Sequence, residues 1–187
     1  MGRDSKGAEA RIVSKGPYTY FYALDGRLVQ LNLDSGRDGK PDVFAYFTGN
    51  RTPDRVETDS DSDGRVDRWE HYDAKGVLSS YSSSRNSERP DRTVVLDPAT
   101  GRTLRVESDL DGDGRMERIE VFSGGVLVRA EIDANRDGRA DRIQEWKDGR
   151  LLREDLDQNG DGRPEIRLVH DRSGGISRVE SLVAPRP

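Results

Sequence analysis

Five acidic loops of one form, D-x-(D/N/G)-x-D-G-(R/K)-x-(D/E), recur in a fixed frame, beginning at Asp34, Asp59, Asp109, Asp133 and Asp157. The steps between them are 25, 50, 24 and 24 residues. The double step holds a sixth copy, Ser84 to Asp91, which has lost its glycine and two of its acids. One such loop is a common accident of acidic sequences. Five in one frame impose a repeat architecture, in which each unit buries apolar surface only against its neighbours. A chain with 32% hydrophobic and 36% charged residues can fold on those terms, although its composition alone would suggest disorder.

Between the loops one plan repeats. Short runs of period two, such as Arg118-Ile119-Glu120-Val121-Phe122 and Val126-Leu127-Val128-Arg129-Ala130-Glu131-Ile132, flank a glycine turn. Runs this short with this period predict strands joined as hairpins. The hairpin exit recurs as Gly26-Arg27-Leu28, Gly76-Val77-Leu78, Gly125-Val126-Leu127 and Gly149-Arg150-Leu151. The expected fold is all-β: an elongated antiparallel array of seven hairpins and six acidic loops, either a solenoid or a long twisted sheet. Tyr18 to Leu33 opens the array and Ile166 to Val183 closes it. The repeat domain thus spans residues 17–183, with a flexible segment at 1–16 and a tail at 184–187. Within strands, Val29/Leu31/Leu33, Val128/Ala130/Ile132 and Ile119/Val121 each share a side. The expectation is one continuous apolar face opposite a face of charge ladders.

Phe47, Tyr72, Leu96, Phe122, Trp146 and His170 fall at one repeat position, on the charged side of a regular strand. Either a bulge turns this column inward or the hairpin ends bury both faces. The column could form a platform for sugar rings or nucleobases. Packing against the hairpin-exit leucines is preferred, because a repeat needs a core between units.

The loops carry the chemistry. A hard divalent cation takes six to eight oxygens from a flexible loop. Positions 1, 3 and 5 offer carboxylates or amides, position 7 a backbone carbonyl, and position 9 a closing carboxylate. The candidate ligands are Asp59, Asp61, Asp63, Arg65 and Asp67 in the second loop, and Asp109, Asp111, Asp113, Arg115 and Glu117 in the third intact loop. Asp133, Asn135, Asp137, Arg139 and Asp141 follow, then Asp157, Asn159, Asp161, Arg163 and Glu165. The first loop is poorer: Asp34, Asp38, Lys40 and Asp42, with Gly36 at position 3. Lysine and arginine enter these sets through their main-chain carbonyls alone. Asp-Gly turns favour hairpins without any metal. That accounts for one acid and the glycine, not for three or four acids converging where, without a cation, they repel.

These loops resemble the first nine positions of the EF-hand calcium loop. Position 12, a bidentate glutamate in that family, is Ala45, Glu70, Glu120, Gln144 or Leu168 here. Position 9 must then close the site. They are closer to helix-free calcium loops such as those of FG-GAP propellers and thrombospondin type 3 repeats. The hairpins, notably His71-Tyr72-Asp73-Ala74-Lys75-Gly76-Val77-Leu78, resemble YD or MORN-like hairpins of bacterial surface proteins. The resemblance implies about five Ca²⁺, which would move the formal charge from −5 to about +5.

No cysteine is present, which excludes disulfides and thiolate metal sites. With only His71 and His170, zinc and copper are disfavoured. No nucleophile elbow, phosphate loop or dinucleotide fingerprint is found, so the chain is expected not to be an enzyme. An acidic chain is not expected to bind nucleic acid, and no apolar run is long enough for a membrane span. The N-terminal residues carry no export signal. Extracellular calcium modules bind at roughly 10⁻⁴–10⁻³ M, so an extracellular, periplasmic or cell-surface setting is expected. The function expected is a calcium-stabilised structural or adhesive module whose partner is another surface protein or a polysaccharide. The alternative is a calcium-dependent carbohydrate- or protein-binding module using the aromatic column.

Overall fold

Position-two alternation between glycine turns and acidic loops yields strands throughout. The computed structural model describes residues 1–49, 51–85 and 89–183, and these contain strands but no helix. The centre of the degenerate loop (86–88) and the tail (184–187) lie outside the described residues. Sixteen strands stand in the antiparallel sheet in the order of the chain. By its contacts the chain divides into two units, residues 1–90 with 98–101, and residues 91–97 with 102–187.

The first unit holds β1 (Gly2–Arg3), β2 (Glu9–Lys15), β3 (Tyr18–Tyr22), β4 (Leu28–Leu33), β5 (Val43–Tyr46), β6 (Arg55–Thr58), β7 (Arg68–Tyr72) and β8 (Leu78–Ser83). The second holds β9 (Arg92–Leu96), β10 (Thr103–Ser108), β11 (Arg118–Ser123), β12 (Val126–Ile132), β13 (Arg142–Lys147), β14 (Arg150–Leu156), β15 (Ile166–His170) and β16 (Ile176–Ser181). Within each unit a strand contacts only its neighbours in sequence. The seven expected hairpins are β3–β4 through β15–β16. Segment 1–16 differs from the expectation. It supplies β1 and β2, with β2 paired to β3 from Arg11–Tyr22 to Lys15–Tyr18, and Ser5 donates its N–H to Gln30 Oε1 at 3.0 Å.

The expectation of one apolar face is overturned by register. Near the β11–β12 turn Phe122 pairs with Leu127, but Val121 pairs with Arg129, leaving Val128 as an extra, bulged residue. Without that residue the turn would set Ile119 opposite Ala130. The bulge sets it opposite Glu131, and Glu120 opposite Ala130. A one-residue slip moves a strand's whole apolar set to the other face. The same shift occurs at Val29, Ser79, Leu104, Leu152 and Ser177. Cross-strand rows therefore mix apolar and charged residues, as in Val94–Val106–Glu120–Ala130–Gln144–Glu154.

Such rows leave a small core. The buried apolar residues are Ala10, Ala45, Val94, Val106 and Ala130, and no large side chain among the described residues is fully buried. Arginine and glutamate two apart on one strand share a face and pair along it: Arg68–Glu70 at 2.7 Å, Arg105–Glu107 at 2.6 Å, Arg118–Glu120 at 2.7 Å, Arg129–Glu131 at 2.8 Å. Their charges stay wet, and each pair adds at most about 1 kcal/mol. Long aliphatic stems of this kind cover neighbouring apolar side chains.

The bulges fall beside the aromatic column. Each places a column residue directly across from the hairpin exit: Tyr72 with Leu78, Phe122 with Leu127, Trp146 with Leu151. All three rings are half-buried. The Tyr72 hydroxyl donates to Glu70 Oε2 at 2.6 Å. Burial, then the Glu70 carboxylate, push its pKa up to about 12.

Candidate metal centre

All five intact loops connect one hairpin to the next: β4 to β5, β6 to β7, β10 to β11, β12 to β13 and β14 to β15. They share an internal hydrogen-bond scheme. The position 1 carboxylate accepts the N–H of the position 6 glycine: Gly39 to Asp34, Gly64 to Asp59, Gly114 to Asp109, Gly138 to Asp133, Gly162 to Asp157, all between 2.6 and 2.9 Å. The position 5 carboxylate accepts the N–H of position 7, from Lys40, Arg65, Arg115, Arg139 and Arg163. The position 9 carboxylate accepts the N–H of position 2, from Ser35, Ser60, Leu110, Ala134 and Gln158. Every loop thus curls back on itself through the same three hydrogen bonds.

Two backbone positions make the curl possible. Position 6 has φ near +90°, as at Gly64 (92°) and Gly114 (93°), a conformation only glycine adopts cheaply. Position 4 is also left-handed, which the sequence pattern did not reveal. It is glycine at Gly112 and Gly160, but Arg37, Ser62 and Arg136 hold φ of 56°, 60° and 65°. A non-glycine residue there is strained. Replacing Ser62 by glycine is expected to stabilise the first unit by about 0.5 kcal/mol, because relief of that strain exceeds the added chain entropy. Chemical denaturation of the variant beside the parent measures it, and a loss of stability contradicts the strain.

The loops differ in how far their acids converge. Asp109, Asp111, Asp113 and Glu117 each present a carboxylate oxygen within 4.8 Å of the others. Asp59, Asp61 and Asp67 form one such group, and Asp157, Asp161 and Glu165 another. Asp63 is not in its loop's group, and the acids of the first loop (Asp34, Asp38, Asp42) and of the fourth (Asp133, Asp137, Asp141) form none among the described residues. In the fourth loop Asn135 turns its amide inward, its Nδ2 donating to Asp141 Oδ1 at 2.8 Å and to Asp137 Oδ2 at 3.3 Å. Asn159 points the same group toward Asp161 Oδ2 at 3.5 Å. In the first loop Asp42 is held by Ser35, through its hydroxyl and N–H, and by Gly36. These donors, the hydroxyl foremost, draw its carboxyl below the usual range.

One carboxylate stands apart. Glu117 is 6% exposed. Its Oε2 accepts the N–H of Leu110 at 2.7 Å, while its buried Oε1 has no hydrogen-bond partner. An unpaired carboxylate oxygen inside a group of four acids is costly unless a cation completes it. At Asp109 burial pushes the carboxyl up, but the N–H donors of Gly114, Gly112 and Asp111 outweigh it and hold the pKa below the ordinary value. Asp109 is thereby favoured in its charged form, and the oxygen donors of the group suit a hard divalent cation.

The neighbouring residues place limits on the set. At position 12, Glu70 and Glu120 lie within strands and pair with Arg68 and Arg118. The position 7 arginine side chains point onward, Arg139 Nη1 donating to Asp161 O at 2.9 Å in the next loop and Arg115 Nη1 to Arg136 O at 3.5 Å. Within each unit the backbone also links consecutive loops, position 1 donating to position 9 of the loop before: Asp59 to Asp42, Asp133 to Glu117, Asp157 to Asp141, each 2.8 Å. His71 is exposed on β7, and His170 Nε2 lies 3.2 Å from Glu154 Oε1; both stand outside the acidic loops. A contact between loops also escaped the sequence: Arg136 Nη2 lies 2.6 Å from Asp111 Oδ2.

The fold and these loops define a β-hairpin repeat chain with acidic groups able to hold a metal ion. No family model matches the chain. No curated protein matches it either. Among solved structures 24 chains match. One is a mutant of S. aureus TarM in complex with fondaparinux, alpha-GlcNAc-glycerol and UDP, at 7% identity and TM-score 0.46 over 57% of this chain and 20% of that one. Another is TarM itself, at 12% identity and TM-score 0.42 over 53% of this chain and 19% of that one. The chain thus spans about a fifth of the length of these structures.

Proposed function

We propose that the protein is a calcium-binding repeat module without enzymatic activity, stiffened by ions in its acidic loops. Its role is structural or adhesive, at a cell surface or in an extracellular matrix. The observation that carries the reading is the buried, unpartnered Oε1 of Glu117 among Asp109, Asp111 and Asp113. The groups at Asp59, Asp61 and Asp67 and at Asp157, Asp161 and Glu165 extend it to two further loops. Position 9 closes each site in place of an EF-hand position 12, since Glu70 and Glu120 are engaged by arginine. Ligand sets of this flexible, all-oxygen kind suit Ca²⁺ better than Mg²⁺, which demands a stricter octahedron.

The pairing of Tyr72, Phe122 and Trp146 with hairpin-exit leucines supports assigning the aromatic column to packing rather than to sugar stacking. The partner of an adhesive module would then be another surface protein or a polysaccharide met by other parts of the sheet. Sites of roughly 10⁻⁴–10⁻³ M affinity fill only where calcium is abundant, which favours an exported setting.

Calorimetric titration with calcium tests the reading. The parent chain is expected to bind several ions, and Glu117→Gln is expected to remove one of them while the rest of the isotherm persists. An isotherm without binding heat for the parent, or one unchanged by Glu117→Gln, rules the assignment out.

A further inference from the structure

We propose that Arg136, borne by the next loop, is a tethered counter-cation that sets the affinity of the 109–117 site; the inference rests on the calcium reading above. The arginine is held in place for this. Its N–H donates to Asp133 Oδ1 at 2.7 Å, its carbonyl accepts from Arg115 Nη1 at 3.5 Å, and its backbone sits at φ 65°. From that anchored position Nη2 reaches Asp111 Oδ2 at 2.6 Å. The other oxygen of Asp111 accepts the N–H of Asp113 at 3.1 Å, so both oxygens of a position 3 ligand are engaged. Among the groups of converging acids, the 109–117 loop is the one with four carboxylates. It is also the one whose buried Glu117 lacks a partner for Oε1.

The sign of the effect follows from charge. Without a metal, the guanidinium neutralises part of the repulsion among four acids. With a divalent cation in place, the same guanidinium becomes a like charge beside it, held close by the Asp111 contact. Both effects lower affinity relative to a site without the arginine. Arg136 therefore moves the strongest acidic loop toward weaker binding, and does so through a residue that belongs to the neighbouring repeat.

The test is calcium titration of the full chain as parent, Arg136→Gln and Arg136→Lys, each also in a Glu117→Gln background. The difference between each pair isolates the 109–117 loop. Arg136→Gln is expected to bind roughly three- to ten-fold tighter at that loop in low salt, the gain shrinking as salt is added. Arg136→Lys retains the charge and is expected to stay near the parent. An affinity that is unchanged or weaker in Arg136→Gln overturns the proposal. So does a gain that survives in the Glu117→Gln background, which would place the effect in loop 133–141. A parent that binds no calcium removes the calcium reading along with it, a result distinct from binding that is indifferent to Arg136.

Discussion

Adding calcium to the chelated protein is expected to raise its melting temperature by on the order of 10 °C. A ligand that binds only the folded state stabilises by RT ln(1 + [L]/Kd), about 1.4 kcal/mol per site at ten times Kd and about 2.7 kcal/mol at a hundred times. With affinities of roughly 10⁻⁴–10⁻³ M, millimolar calcium is about one to ten times Kd, or about 0.4–1.4 kcal/mol per site. Three converging loops, at Asp59, Asp109 and Asp157, would then contribute about 1–4 kcal/mol in all. For chains of this size each kcal/mol moves the melting point by about 2–4 °C. The chain is unusually open to such a gain, because its buried apolar residues, among those described, are two valines and three alanines. Differential scanning calorimetry in calcium, in magnesium and in chelator measures the shift. Equal melting points in calcium and chelator would end the calcium reading, and equal shifts with magnesium would end the preference between the two ions.

The positions of the hairpins were legible in the sequence, and the reason is local. Glycine turns and Asp-x-Asp-Gly loops punctuate runs of period two, so each strand's limits follow from residues inside it. β3 begins at Tyr18, β4 ends at Leu33 and β15 begins at Ile166, as the pattern predicted. The faces were not legible, because they depend on one extra residue beside each bulge. Those residues are Val29, Ser79, Leu104, Val128, Leu152 and Ser177, which share no side-chain chemistry. What they share is a left-handed turn glycine three residues before each, at Gly26, Gly76, Gly101, Gly125, Gly149 and Gly174, which marks the turn without stating the register. The aromatic column was the nearest signal. Rings on the wrong side of a regular strand called for a bulge, and bulges lie beside Tyr72, Phe122 and Trp146, while the β5–β6 pair before Phe47 runs without one.

The loops divide in the same way. The five-fold frame located the acids, and the hydrogen-bond scheme around Gly64, Gly114 and their equivalents follows from the local sequence. Convergence did not follow from it. Asp133 to Asp141 carries the same pattern as its neighbours, yet Asn135 fills its centre with an amide. The left-handed residues at position 4 were hidden because only two of the five are glycine. Arg136 and Asp111 are 25 residues apart, and their meeting depends on how adjacent repeats stack, which no single repeat encodes.

Val106→Asp is expected to cost at least about 3 kcal/mol and to lower the melting temperature by roughly 10 °C. Val106 is 3% exposed and stands in β10 between Val94 and Glu120. Burying a valine is worth about 1.5 kcal/mol or more, and that gain is lost. The new carboxylate would also face Glu120 directly across the pair, and like charges so placed are unfavourable. Arg118 is already paired with Glu120 at 2.7 Å, so its charge is shared between two acids rather than gained. Leu152→Asp is the matched control. It is 42% exposed at a bulge, and its replacement is expected to cost about 1 kcal/mol or less. The two substitutions have the same chemistry and differ in register. Had each face been wholly apolar or wholly charged, burial would follow the strand's own alternation, and Leu152 would sit with the buried set. Similar losses in the two variants would therefore contradict the bulged register, whereas a large gap between them follows from the mixed rows.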